Sequence, residues 1–131
     1  EINERQKADF LGGASALLFP IDWPEPFGLV MIEAMACGTP VIAFRCGSVP
    51  EVIEDGRSGF IVDSEDEAVE AVKQIRHLER KMVRGVFDAR FTADRMAADY
   101  AALYHRLPGA RTDAAWLRRR RGEESELQIV A

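Results

Sequence analysis

Residues 14–44 read ASALLFPIDWPEPFGLVMIEAMACGTPVIAF. Ala14–Phe19 is a short apolar run ended by Pro20, the pattern of a buried strand. Residues 20–27 contain three prolines and are expected to be loop, because proline fixes φ and has no amide to donate. Gly28–Cys37 is apolar all round except for one carboxylate and is stopped by Gly38, which predicts a buried helix. Pro40–Phe44 is a second buried strand. Strands that are apolar throughout, rather than alternating, belong to parallel sheets covered on both faces.

The flanking sequence extends this pattern. Residues 3–11 read as the end of a polar helix, broken at Gly12-Gly13. Downstream, Ser48-Val49-Pro50-Glu51 fits a capping box and predicts a short helix to about Asp55. Gly56–Gly59 is a turn and Phe60–Val62 a third strand. Ser64-Glu65-Asp66-Glu67 opens a helix with Ala68, Val72, Ile75 and Leu78 on one side. Another helix is expected over 79–90, and Thr92 caps a last one carrying Met96, Tyr100, Leu103 and Tyr104. The fold class is therefore α/β, a three-layer Rossmann-like parallel sheet. Three strands are few for such a sheet, so an N-terminal part is expected upstream of residue 1. Residues 1–107 are expected to form the domain and 108–131 a tail.

Composition sets limits on function. The chain has 131 residues, within the range of one domain, and its 17 basic and 22 acidic residues give a net charge of -5. That balance disfavours bulk capture of nucleic acid but not a local anion site. No apolar stretch is long enough to span a membrane. The two cysteines, with no secretion signal, suggest a reducing, cytoplasmic setting. Neither Cys37 and Cys46 nor His77 and His105 fall into a metal-binding spacing, so no metal and no cofactor are expected.

The loop at 20–28 follows the first strand, and ligands of open α/β sheets bind beyond the carboxyl ends of strands. Gly28 lets a ligand approach the backbone, and the first-turn amides of Gly28, Leu29 and Val30 lack intrahelical partners, so they can receive phosphate oxygens. Glu25 lies just before the helix and Glu33 within it. A buried unpaired carboxylate is costly, so Glu33 must find partners, and polyol hydroxyls are suitable ones. Taken singly, these features have simpler explanations. A lone Glu in an apolar helix is as often structural, held by backbone or by a buried arginine, and Glu25 alone reads as a solvated loop residue. The spacing decides between them: a phosphate cradle flanked by two hydroxyl acceptors suits a phosphate joined to sugar on both sides.

Glu25, seven residues, then Glu33, followed by Ala-Met-Ala-Cys-Gly-Thr-Pro-Val-Ile-Ala, closely resembles the retaining nucleotide-sugar glycosyltransferases of the GT-B fold usually called family 4. The resemblance continues through Cys46–Ile53, similar to the family's Gly-Gly-x-Pro-Glu-Val segment, and through Asp55–Val62. It implies the C-terminal, donor-binding part of a GT-B enzyme. Glu25 would bond hydroxyls of the donor sugar at the reacting centre and Glu33 the ribose hydroxyls. The backbone of Phe27, Gly28, Leu29 and Val30 would meet sugar and diphosphate. The implied partners are a nucleotide-diphosphate sugar donor and an N-terminal acceptor domain. The family's diphosphate-gripping basic residues are expected upstream of residue 1, so this chain alone is expected to be inactive and to bind donor weakly.

Two alternatives stand beside that implication. A non-catalytic nucleotide-sugar-binding or interaction domain could retain the motif. A GT-B epimerase or phosphorylase is disfavoured by the full Glu-to-Glu pattern with its Phe-Gly-Leu. The tail from Pro108 carries five Arg against four acidic residues, whereas residues 1–106 carry 12 basic and 18 acidic. Its Arg118–Arg121 run is expected to be a solvated helix, with docking on the upstream domain or contact with an anionic membrane surface as sharper readings.

Overall fold

The computed structural model describes residues 3–107. Three parallel strands, β1 (Leu17–Phe19), β2 (Val41–Phe44) and β3 (Gly59–Val62), lie side by side in that order. Leu17 pairs with Val41, and Val41 with Gly59. Helices α1 (Glu4–Gly13), α2 (Leu29–Ala36), α3 (Val49–Val52), α4 (Glu65–Gln74), α5 (Arg80–Arg90) and α6 (Ala93–Arg106) complete the order, with a 3-10 turn at Ile75–His77. This is the α/β three-layer arrangement that the apolar strands predict.

Alternation along β2 creates the two faces. Val41 and Ala43 join Met31, Ala34 and Met35 of α2, Val49 and Val52 of α3 and Val83 and Val86 of α5 in the larger core. Ile42 points the other way, to a smaller core with Val62 and Ala71, against which Phe44, Phe60, Ala68 and Ile75 pack. Met31, Ala34 and Met35 recur at helical spacing on α2 and are fully buried.

Several local expectations shift. Helix α1 begins in its own capping box, Asn3 with Gln6, and runs through both glycines instead of stopping at Gly12. Helix α4 ends at Gln74, and Ala68, Ala71 and Ile75 face the sheet while Val72 is half-exposed. Ser64 caps it as expected through Glu67 N–H (3.2 Å), but the Glu67 carboxylate accepts from Asp63 N–H (2.8 Å). The box at Ser48 does not form. Ser48 is helical (φ -76°, ψ -8°) rather than extended, and its carbonyl already receives Glu51 N–H at 2.9 Å, leaving the hydroxyl no donor.

The described chain divides into two units, one up to Arg95 and one from Met96. In the second, Tyr100 and Tyr104 sit one turn apart on α6 with ring centroids 6.2 Å apart. The Met96, Tyr100, Leu103 and Tyr104 stripe is exposed among the described residues. The expectations for the Arg118–Arg121 tail lie outside the described residues.

The packing predicts a contrast in stability. Met35→Ala empties a fully buried site and should lower unfolding free energy by about 2–5 kcal/mol. Val72→Ala, half-exposed on α4, should change it by less than ~0.5 kcal/mol. Urea titration followed by circular dichroism measures both, and equal losses would contradict the core described.

Candidate functional site

The loop leaving β1 turns sharply before α2. Ile21 anchors it in the core, while Asp22 and Trp23 stand exposed. Glu25 N–H donates to Trp23 C=O at 2.8 Å, closing a three-residue turn. That turn folds the Glu25 side chain back over its own loop. Its Oε2 accepts the Trp23 indole N–H at 3.1 Å, and its Oε1 accepts the Gly28 amide at 3.1 Å. Glu25 is half-buried, so both bonds form at the rim of the fold.

Gly28 is the N-cap of α2 in the left-handed region (φ 70°, ψ 66°). A Cβ there would lie 2.7 Å from Met31 Cε and 3.3 Å from the Phe19 ring. The left-handed backbone favours glycine, and a Cβ would also press on the Phe19 ring, while the flexible Met31 methyl can move aside. The Gly28 amide, expected to be open for phosphate, is instead held by Glu25. Among the described residues the amides of Leu29 and Val30 have no partner, as expected of a first helical turn. Leu29 projects into solvent, and Phe27 rests edge-on against Phe91, the residue after α5, with ring centroids 6.4 Å apart.

Glu33 differs from its expected environment. It is 37% exposed rather than buried, and its Oε1 lies 2.9 Å from Lys7 Nζ on α1. The need for a partner was legible in the apolar surroundings of Glu33, but a lysine from a separate helix was not. No charge at helical spacing connects the two residues.

The loop after β2 meets the loop after β1. Cys46 Sγ donates to Trp23 C=O at 2.9 Å, and Ser48 N–H donates to Glu25 C=O at 2.9 Å. Gly47, between them, has φ 53°, and a Cβ there would lie 2.5 Å from Glu25 N and 2.9 Å from Pro24 C. The two sequence segments, 25–33 and 46–53, therefore share one edge. The glycine preceding Ser48-Val49-Pro50 was the signal for this close approach.

A cavity of about 300 Å³ on the α4 side of the sheet is lined by Leu18, Pro20, Ile42, Phe44, Val62 and Ala68 among others. It is mostly apolar, with Glu65 also in its lining, and neither Glu25 nor Glu33 reaches it. Among the described residues no group of three or more His, Cys, Asp or Glu side chains is placed to hold a metal ion. No helix there is long and apolar enough to cross a membrane.

The parallel α/β layering is that of a GT-B glycosyltransferase domain. The family model described as "Glycosyl transferases group 1" matches residues 1–85, and the chain belongs to that family. The D-inositol 3-phosphate glycosyltransferase of Streptomyces scabiei is 46% identical over 70 residues, which cover 53% of this chain and 16% of that protein. The N-acetyl-alpha-D-glucosaminyl L-malate synthase of Bacillus anthracis is 31% identical over 100 residues, covering 70% of this chain and 26% of that protein. Sucrose-phosphate synthase from Thermosynechococcus elongatus superposes with a TM-score of 0.70 at 31% identity, covering 82% of this chain and 29% of that one. The chain thus spans about a sixth to under a third of the length of these relatives.

Two glycines test the geometry. Gly56 has a similar φ of 73° but nothing within 4 Å of a built Cβ. Gly56→Ala should therefore cost only the left-handed backbone, about 1–2 kcal/mol. Gly28→Ala should cost that plus about 1 kcal/mol of crowding against the Phe19 ring, the Met31 methyl being a flexible end that can turn aside. Urea midpoints of the two variants give the comparison, and a Gly28→Ala chain no less stable than Gly56→Ala would refute the crowding.

Proposed function

We propose that this chain is the donor-binding part of a retaining glycosyltransferase acting on a nucleotide-diphosphate sugar. The observation that carries the proposal is the pairing of a half-buried carboxylate, Glu25, with the unpartnered amides of Leu29 and Val30 at one helix start. Main-chain amides at a helix N-terminus favour phosphate oxygens, both as donors and through the helix dipole. An ionised carboxylate has about four lone-pair sites. Glu25 uses two on Trp23 and Gly28, so sugar hydroxyls can add without displacing either donor.

In the reaction, the bond between the anomeric carbon and the diphosphate breaks, and a bond from that carbon to an acceptor oxygen forms on the same face. The acceptor proton leaves with the nucleoside diphosphate. Glu25 orients the sugar at this carbon, and the Leu29 and Val30 amides stabilise the charge gathering on the departing diphosphate. Glu33 takes the ribose hydroxyls. Its pair with Lys7 is more than one-third exposed on each side chain, and such pairs are worth only about 0–1 kcal/mol, so hydroxyls can compete for the carboxylate. The remaining donor grip and the acceptor site are supplied by sequence outside this chain, in a cytoplasmic setting consistent with both cysteines being free thiols.

Amide spectra of the chain titrated with UDP, GDP and ADP provide the test. Saturable shifts at Leu29 and Val30 with millimolar affinity are expected. No shift there at millimolar nucleotide would refute the cradle, and micromolar affinity would refute the assignment of the remaining grip to other sequence. In the complete polypeptide, Glu25→Ala should abolish sugar transfer, and unchanged turnover would refute the role given to Glu25.

A further inference from the structure

We propose that the Cys46-Gly47-Ser48 turn is a clamp that positions Glu25, so that Gly47 is a positioning residue of the transfer site. The proposal rests on the donor-facing role given to Glu25 above. Three contacts from three consecutive residues converge on Trp23–Glu25. The Cys46 thiol donates to Trp23 C=O, the Ser48 amide donates to Glu25 C=O, and Gly47 lies flat against the Pro24–Glu25 peptide. The closest approach of a built Gly47 Cβ is to Glu25 O itself. Loop backbone is thus gripped by loop backbone, with no room for a side chain between them.

The Ser48 hydroxyl sharpens the assignment. Ser48 is 93% buried, by its 7% exposure, yet its Oγ has no hydrogen-bond partner among the described residues. Its side chain neither caps α3 nor supports the loop, so its amide makes the contact with Glu25. The clamp fixes both ends of a short lever. With the Glu25 carbonyl held by Ser48 and the Trp23 carbonyl held by Cys46, the carboxylate can meet both the indole N–H and the Gly28 amide. Releasing the lever swings the carboxylate away from the amides at the start of α2.

The Trp23 indole and the Gly28 amide bracket the carboxylate, and both are visible in nitrogen–proton spectra of the 131-residue chain. A pH titration should shift both signals with one midpoint, and Glu25→Gln should remove that common transition. Gly47→Ala should also remove it while leaving the remaining resonances folded. Gly56→Ala, with a similar φ and open space, should keep it. A Gly47→Ala chain with the wild-type transition at both signals would overturn the clamp. If Gly47→Ala does not fold, Cys46→Ala decides: a weakened common transition supports the clamp, and an unaltered one overturns it. No nucleotide is present, so failure to bind nucleoside diphosphates would refute the donor reading without touching this result. In the complete polypeptide, Gly47→Ala should lower kcat on the order of a hundredfold, the scale of a misplacement of about 1 Å, with inhibition by nucleoside diphosphate unchanged.

Discussion

The hydrogen bond from the Gly28 amide to the Glu25 carboxylate is the contact on which the carboxyl edge of this sheet depends. The chain must leave β1, reverse, and lay α2 back over the sheet within the nine residues from Pro20 to Gly28. A glycine in the left-handed region makes the last step of that reversal, and a side chain three residues earlier satisfies its amide. The capping group is thus the acidic residue of the loop rather than the N-cap residue, which has no side chain. Capping falls on that carboxylate and uses only the outermost donor, and the helix start that it secures keeps two further amides open.

The opposite end of the sheet is fastened by a different chemistry. Arg80, at the start of α5, donates to Ala14 C=O (2.8 Å), Gly12 C=O (2.6 Å) and Thr39 Oγ1 (2.7 Å). Thr39 is fully buried and passes the link on to Leu11 C=O at 2.7 Å. Arg84 reaches Ala36 C=O at 2.7 Å. The carbonyls left open where α1 and α2 end are thus satisfied by two arginines one turn apart on α5. Gly38 turns at φ 70°, and a Cβ there would lie 2.9 Å from Arg80 C=O, so both facts favour glycine. The sheet is therefore locked at its amino edge by guanidinium groups, while the carboxyl edge keeps acceptors and amides accessible.

Much of this was legible in the sequence because it is local. The strands at 14–19 and 40–44 were marked by apolar runs and by proline, and α2 by an apolar helix bounded by two glycines. Parallel pairing followed from the lack of alternation. Within the motif, Gly28 was legible as the residue that opens α2. What escaped depends on contacts between distant segments. Nothing in residues 28–37 indicates that Lys7 supplies the partner of Glu33, or that α1 is close enough to do so. The capping signature at Ser48 failed because a tertiary contact competed for the same turn: the Ser48 amide serves Glu25, and a helical backbone at Ser48 turns its hydroxyl away from the α3 amides. The stripe on α4 was displaced by one position for a related reason, since the helix stops at Gln74 and the sheet selects Ala68, Ala71 and Ile75.

The two acidic residues of the motif differ in what holds them. Glu25 is held by an amide and an indole, neutral donors that leave lone pairs free, so hydroxyls can join an existing arrangement. Glu33 is held by the Lys7 ammonium group, in an ion pair that partial exposure weakens. The same spacing therefore places two unlike acceptors with seven residues between them: one held by neutral donors, the other by an ammonium group.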